Sequence, residues 1–416
     1  KLGWITPRII QEEVFAQKNG NYTLVKDTYN DYTTFGLNTF AIMRLGMAYE
    51  IVSYDFLHLI ASDYYQQAYN ITTAVEQLTS TRIKEYDLSG TLSLETVKTY
   101  SYDNTYHSFL TSELFTNSKA ETIETDYKYP FNKNQIAGLN ATNSAAIDRM
   151  VIKNIIAPPI EKQVLRNNNL IQSQRTNYRI WDVQQDMVKP ENIQIQIKNN
   201  PAEQRMFFDS YDAQGNLLQQ SKANDPKLSY IWDYAEAYPV AEVTGATGSQ
   251  IAYTSFESDG SGNWNIAGTP RYTDGITGSK CYNLIDGSIS RSGLNAGTTY
   301  IISYWSNNNS PLSIAGTQGP VLQGRKKGSW TYFEHKVSGV TDVSIAGTNA
   351  LIDELRLYPA DAQMTTYTYT PLIGITSSCS ANSTVIYYEY DSFQRLKLSR
   401  DQDGSIVKTY KYNYKQ

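Results

Sequence analysis

Few residues in this chain combine a reactive type with a spacing that chemistry could use. Asp353 and Glu354 are adjacent in the phrase LIDELRLYP, and Glu257 stands in TSFESDG. A retaining glycosidase needs two carboxyl groups roughly 5–5.5 Å apart, one of them with a raised pKa. Neighbours on a strand point to opposite faces, so Asp353 and Glu354 are not expected to cooperate. No acidic cluster surrounds Glu257 to take the place of either. No GxSxG occurs, and no Ser lies near a His in a strand–turn–helix setting. His58, His107 and His335 are scattered, and His335 in FEHKV is expected to point outward from a strand. Gly260-Ser261-Gly262 lacks both a P-loop lysine and a following helix. Without a CxxC a zinc site is not expected. Cys281 and Cys379 read as unpaired buried thiols, with a disulfide across a module boundary as the other option. The expectation is that the chain is not an enzyme.

Binding is the remaining chemistry. Trp264, Trp305, Trp330 and Tyr332 carry flat rings that could stack on pyranose faces, and Asn307, Asn308 and Asn309 could add hydrogen bonds. A Trp inside a strand of a small sandwich is usually core, because a large buried ring dominates stability there. Trp330 is assigned to such a core and Trp305 to a concave face. The glycan-contacting set is therefore expected to be Trp264, Trp305, Tyr332 and Asn307. Arg325-Lys326-Lys327 reads as a solvated hairpin tip. A net charge of −5 spread over 416 residues offers neither a basic patch for nucleic acid nor a polybasic membrane segment. No run reaches the roughly 18 apolar residues of a membrane-spanning helix. Lys1 is not preceded by a leader, so a portion of a longer polypeptide is expected.

Positioning falls to β-structure. The chain holds 34 Tyr against 12 Phe and 6 Trp, and tyrosine suits half-buried strands with its ring packed and its hydroxyl wet. From Tyr387 to Gln416, Tyr388, Tyr390, Tyr410, Tyr412 and Tyr414 recur at period two around a turn at Asp401-Gln402-Asp403-Gly404, predicting one hairpin. Related phrases occur at Asn19-Gly20, Tyr86-Asp87-Leu88-Ser89-Gly90 and Tyr211-Asp212-Ala213-Gln214-Gly215. A further hairpin is predicted through Asn167-Asn168-Asn169. Phe35 to Gln67 looks less regular, with an aromatic-rich loop at DFLHLIASDYYQQ. One short helix is predicted near 144–153, capped by Thr142 or Asn143 and covering a sheet end. From about Ile251 the composition shifts to Gly, Ser, Thr and Asn with closely spaced turn signals, as in a sandwich. The fold class is all-β: a tyrosine-rich antiparallel hairpin strip over 1–250, a jelly-roll β-sandwich over 251–360, and returning hairpins over 361–416.

The Tyr-Asp phrase with Gly at the tip, and above all YEYDSFQRLKLSRDQDG, resembles the YD-repeat of bacterial RHS-type proteins. SYIWDYAEAYPVAEVTGA, 229–246, resembles the linking segment of large secreted members. That resemblance implies a β-sheet strip coiling into a shell, in many relatives around a C-terminal toxin. No toxin-like segment follows the last repeat before Gln416. The phrases of 251–360, with an opening Phe-Glu, a Gly-x-Trp and a closing Ile-Asp-x-Leu-x-Leu, resemble a carbohydrate-binding (galactose-binding-like) module. This second resemblance implies a structural calcium held by Glu257 and Asp353 with backbone carbonyls. Together the two imply a non-catalytic scaffold segment of a bacterial cell-surface or secreted protein. Its partners would be other parts of a longer polypeptide or a secretion complex, with glycan contact through the sandwich. The alternative is a carbohydrate-targeting module for an enzyme or toxin outside these residues.

Overall fold

The computed structural model describes residues 8–18, 20–51, 59–87, 89, 93–104, 106–347 and 349–414. It is all-β apart from one α-helix and short 3-10 turns. The chain forms two compact units, 1–176 with 194–203, and 177–193 with 204–416.

In the first unit, strands that are neighbours in sequence pair antiparallel, from Gln11–Lys18 and Asn21–Ile51 through Glu161–Arg166. Lys18 pairs with Asn21, which closes the first hairpin around Gly20 at φ 82°; Asn19 lies outside the described residues. Leu88 and Gly90 of the second phrase also lie outside them. Where it is described, Phe35–Gln67 is paired strand with register shifts at Phe35/Asn38 and Ala48/Tyr49: Asn21–Ile51 and Leu59–Tyr86 pair from Lys26↔Glu85 to Ile51↔Leu59, and 52–58, the start of the expected aromatic-rich loop, lie outside the described residues. Period-two alternation was hidden there because the two strands are rich in apolar and aromatic residues at successive positions. The helix spans Ala141–Ile152 and is capped two or three residues earlier than expected, by Asn140, whose side chain accepts the Asn143 N–H. It buries Asn143, Ala146, Ile147 and Met150, the i, i+3, i+4, i+7 stripe of an amphipathic helix.

In the second unit the same hairpin logic runs from Glu203–Tyr211 to Ile406–Thr409. One turn geometry recurs at 117–121, 212–216, 380–384, 391–395 and 401–405. The first residue donates its N–H to the carbonyl of the last and accepts from the N–H of the fourth. The fourth residue is left-handed, at φ 58° for Ala120, 85° for Gly215, 60° for Ser383, 61° for Gln394 and 86° for Gly404. The short side chain in first place then accepts the N–H of the last residue: Asp212 from Asn216 at 2.7 Å, Asp391 from Arg395 at 3.0 Å, Asp401 from Ser405 at 2.8 Å. This is why Asp recurs. Tyrosine recurs for a second reason. Its ring lies along the sheet and its hydroxyl donates to a carbonyl of an earlier strand: Tyr211 to Pro190 at 3.0 Å, Tyr390 to Ile375 at 3.0 Å, Tyr412 to Leu396 at 2.9 Å.

Two hairpins, not one, fill the closing segment. Val385–Tyr390 pairs with Leu396–Asp401 around Asp391, and Leu396–Asp401 pairs with Ile406–Thr409 around Asp401. Tyr410, Tyr412 and Tyr414 follow the last strand instead of lying in it. The partner strand begins at Leu396, so beyond Tyr410 there is no backbone left to pair with. The Arg395 guanidinium instead sits over the rings of Tyr412 and Tyr414, at 4.5 and 5.4 Å.

The segment 229–246 is not a linker. Leu228–Asp233 and Tyr238–Thr244 form a hairpin, and Ala241–Thr244 pairs directly with Gln363–Thr366. The chain leaves the sheet at Thr244 and re-enters on the next strand at Gln363. Between those points a larger sheet is built on Tyr300–Ser306, Trp330–Val337 and Leu351–Pro359, with a three-stranded sheet of Asn265–Ile266, Ile289–Arg291 and Val343–Ile345. Phe256, Trp264, Tyr282, Tyr304, Phe333 and Leu357 are members of the main core of this insert.

Candidate functional site: a buried polar junction between insert and strip

Both faces of the insert's larger sheet are buried. Tyr300, Ile302 and Tyr304 alternate into the insert's own core. Trp305, Trp330 and Tyr332 join Cys281 and Ile276 from the insert and Cys379 and Val385 from the strip in a separate cluster. Trp305 is 1% exposed, Trp264 3% and Tyr332 6%. These rings are packing, not a sugar platform: Trp264 lies in the insert's own core, and the strip covers the face that holds Trp305 and Tyr332. Trp330 is buried as expected, but against the strip. Asn307 is exposed, and its amide oxygen accepts the Leu351 N–H at 2.9 Å, closing a turn.

At the centre of this junction Leu351–Pro359 carries a bulge. Ser303 pairs with Arg356 and Trp305 with Asp353, so Glu354 is the extra residue, left-handed at φ 53°. The bulge cancels the alternation expected from the sequence. Asp353 and Glu354 fall on the same side, and the Thr277 hydroxyl lies 3.2 Å from Asp353 and 3.0 Å from Glu354. Both carboxylates are sealed from solvent, at 0% and 2% exposure.

Glu354 is held from all sides. Arg356 donates to it through Nε at 3.0 Å and Nη2 at 2.7 Å, Tyr253 through its hydroxyl at 2.8 Å, and the Thr366 hydroxyl also donates. Arg356 then reaches into the strip, to the carbonyls of Cys379 and Ser380, both at 3.1 Å, and to the Thr366 hydroxyl at 2.8 Å. A buried charge is tolerated only when paired and fully hydrogen-bonded, and this pair meets that condition. Around it, Tyr387 donates to the Ile276 carbonyl at 2.7 Å and Ser383 to the Tyr332 hydroxyl at 2.8 Å. Lys327, expected at a solvated tip, lies 3.9 Å from the centroid of the Tyr387 ring and donates to its hydroxyl at 2.7 Å.

Asp353 accepts from the N–H groups of Ile276 at 2.7 Å, Thr277 at 2.8 Å and Glu354 at 2.6 Å. Burial, and after it the Glu354 charge, holds its carboxyl well above the usual carboxylate range. Glu257 grips the same loop further on. It accepts from the Ser279 N–H at 2.6 Å and from the Lys280 N–H, while the Lys280 ammonium donates to the Glu257 carbonyl at 2.7 Å. Gly278 has no room for a Cβ against the Glu257 carboxyl, 2.3 Å away. Calcium needs oxygen ligands. Here backbone N–H groups donate to both carboxylates and the Lys280 ammonium takes the Glu257 carbonyl, so the residues as placed do not fit a shared calcium. Among the described residues no group of three or more His, Cys, Asp or Glu could hold a metal.

His335 is also not where the sequence placed it. It is 1% exposed, with Nε2 3.0 Å from the Tyr304 hydroxyl and Nδ1 3.1 Å from the Thr317 hydroxyl. Burial lowers its pKa to about 4. Cys281 and Cys379 are free and buried, and burial pushes both thiols up to about 12. Sequence reasoning missed Arg356, Tyr253, Thr277 and Thr366. The available signal was Glu354-x-Arg356 set among leucines in a strand otherwise destined for burial.

No family model and no curated protein matches the sequence. Among solved structures the chain is weakly similar to the crystal structure of TcdB2–TccC3, with TM-score 0.20 and 10% identity over 81% of this chain and 23% of that chain. It is similarly related to the Photorhabdus luminescens Tc holotoxin pore, with TM-score 0.18 and 11% identity over 95% of this chain and 19% of that one. The chain thus spans less than a quarter of either. No helix among the described residues is long and apolar enough to cross a membrane.

Proposed function

We propose that this chain is a non-catalytic scaffold segment of a larger bacterial secreted or surface protein, in which the insert braces the tyrosine-rich sheet. One observation carries the reading: the carboxylates Asp353, Glu354 and Glu257 are all spent on backbone N–H groups, Arg356 and hydroxyls that fix the insert's own loop and tie the insert to the strip. A catalytic carboxylate needs access to substrate and a freely exchangeable proton. These have neither. The brace also explains the burial of Trp305 and Tyr332, which would serve a separate module better if exposed. Its partners are other parts of a longer polypeptide, which would extend the strip through its own hairpin register.

Hydrogen exchange tests the brace. The amides of Ile276, Thr277 and Leu351–Pro359 should open together with those of Gly374–Cys379, as one cooperative unit. Exchange of the insert at a markedly lower opening free energy than the adjoining strip would refute it. Turnover of chromogenic glycosides that disappears in Asp353→Asn would refute the non-catalytic reading.

A further inference from the structure

We infer that the cleft between the 228–244 hairpin and the insert loop 257–263 binds an organic polycation, a linear polyamine. The cleft measures about 1030 Å³, at the top of the roughly 300–1,000 Å³ range of small-molecule sites. The inference does not rest on the scaffold reading.

Both walls are fixed by the chain itself. On one side Tyr234, Ala235 and Glu236 are left-handed in succession, at φ 55°, 56° and 60°. Tyr234 is held there by the Tyr369 N–H, which donates to its hydroxyl at 3.0 Å. On the other side the loop is drawn in so tightly that a Cβ on Gly260 would lie 2.2 Å from the Asp233 carboxylate. Asp233 sets this approach by accepting the Gly260 N–H at 3.1 Å and the Ser258 hydroxyl.

Two independent features of the lining meet in a cation. The first is aromatic. Tyr230, Trp232, Tyr234 and Tyr369 line the cleft as half-buried rings. Tyr234 stands nearly perpendicular to Tyr369, at 82° with centroids 5.8 Å apart. The polar atoms of these rings are engaged by the protein. The Tyr230 hydroxyl accepts the Gln220 amide at 2.8 Å, Trp232 donates to the Leu217 carbonyl at 2.9 Å, and Tyr369 donates to the Pro239 carbonyl at 2.9 Å. What they offer a ligand is ring surface, which attracts cations and packs against methylene stems.

The second feature is charge. Among the described lining residues Asp212, Asp233, Glu236, Glu257 and Asp259 face one ammonium, that of Lys280. Protein donors take lone pairs of Asp212, Asp233 and Glu257 but leave their negative charge in place. A cleft lined by one sign of charge concentrates the field within it. An anion is repelled, and a neutral ligand leaves the mutual repulsion of the carboxylates unrelieved. A bare metal ion does not fit either, since among the described residues no group of three or more His, Cys, Asp or Glu could hold one. Ammonium groups spaced along an aliphatic stem answer both features, with charge set against the carboxylates and methylenes against the rings.

The test is titration calorimetry of the full chain with spermine, and with magnesium and cellohexaose as the inorganic and neutral probes. Spermine should bind saturably at one site at up to millimolar concentration, more weakly as salt is raised. Glu236→Gln/Asp259→Asn, at two exposed positions, should weaken binding roughly tenfold. Ser261→Trp, which fills the cleft from an exposed position, should abolish it, with an unchanged melting temperature in both variants. Saturation-transfer NMR should place the spermine methylenes against aromatic protons. Absence of saturable spermine binding, equal competition by magnesium at matched ionic strength, cellohexaose binding in place of spermine, or spermine binding untouched by either variant would each overturn the assignment.

Discussion

Removing Arg356 alone should be among the most damaging single changes in the insert. In Arg356→Met the aliphatic stem is replaced at similar bulk, so little cavity forms, but Glu354 keeps its charge at 2% exposure. Two charge-assisted bonds to Glu354, at 3.0 and 2.7 Å, disappear, as do the bonds to the Cys379 and Ser380 carbonyls. Stranding one member of a buried pair costs about 3–5 kcal/mol. The remaining donors, Tyr253, Thr277 and Thr366, place the loss at the lower end, about 3 kcal/mol. Urea denaturation followed by tryptophan fluorescence reads it as a drop in midpoint. The double variant Glu354→Gln/Arg356→Met should lose less than the single one, because the stranded charge is gone. A single-variant loss under about 1 kcal/mol, or a double variant equal to the sum of both singles, would refute the argument that the pair is coupled and desolvated.

Acid should weaken the insert through His335. Its folded pKa is about 4 against an ordinary 6.5, so its contribution is intact above 6.5 and is lost as pH falls towards 4, reaching about 3 kcal/mol. Asp353, with a raised folded pKa, works in the opposite direction, so the comparison is the difference in pH slope between wild type and His335→Gln; equal slopes would contradict it. Ala235→Gly should stabilise by about 0.5–1 kcal/mol, since it relieves a left-handed alanine at the cost of backbone entropy, and a lower melting temperature would count against strain there. Asp212→Ala should cost about 1–2 kcal/mol by freeing the Asn216 N–H, with no loss expected from Asp259→Ala as the control. Cys281 and Cys379 should resist a thiol reagent at pH 8 (an order-of-magnitude exposure test of buried thiols) until the chain is unfolded; prompt labelling of native protein would contradict their burial.

The sequence alone determined the β-class, the hairpin phrase and its turn residues. These are local: an Asp that caps its own turn and a residue that must turn left-handed act within a few positions, so their types are visible in a single sequence. The composition break near Ile251 was legible for the same reason. Only the tertiary structure decided what the insert's residues do. The bulge at Glu354 reverses the face of Asp353 relative to its neighbour, and no local pattern announces one extra residue in a strand of alternating Leu and charge. Trp305 and Tyr332 have the composition of an open face and become interior, and Lys327 becomes half-buried, because strands more than forty positions away in sequence lie over them. His335 reads as an outward strand residue until Tyr304 and Thr317, on other elements, satisfy both ring nitrogens. Burial is a property of what covers a residue, and over Trp305 and Tyr332 that covering comes from the return of the chain to the sheet at Gln363.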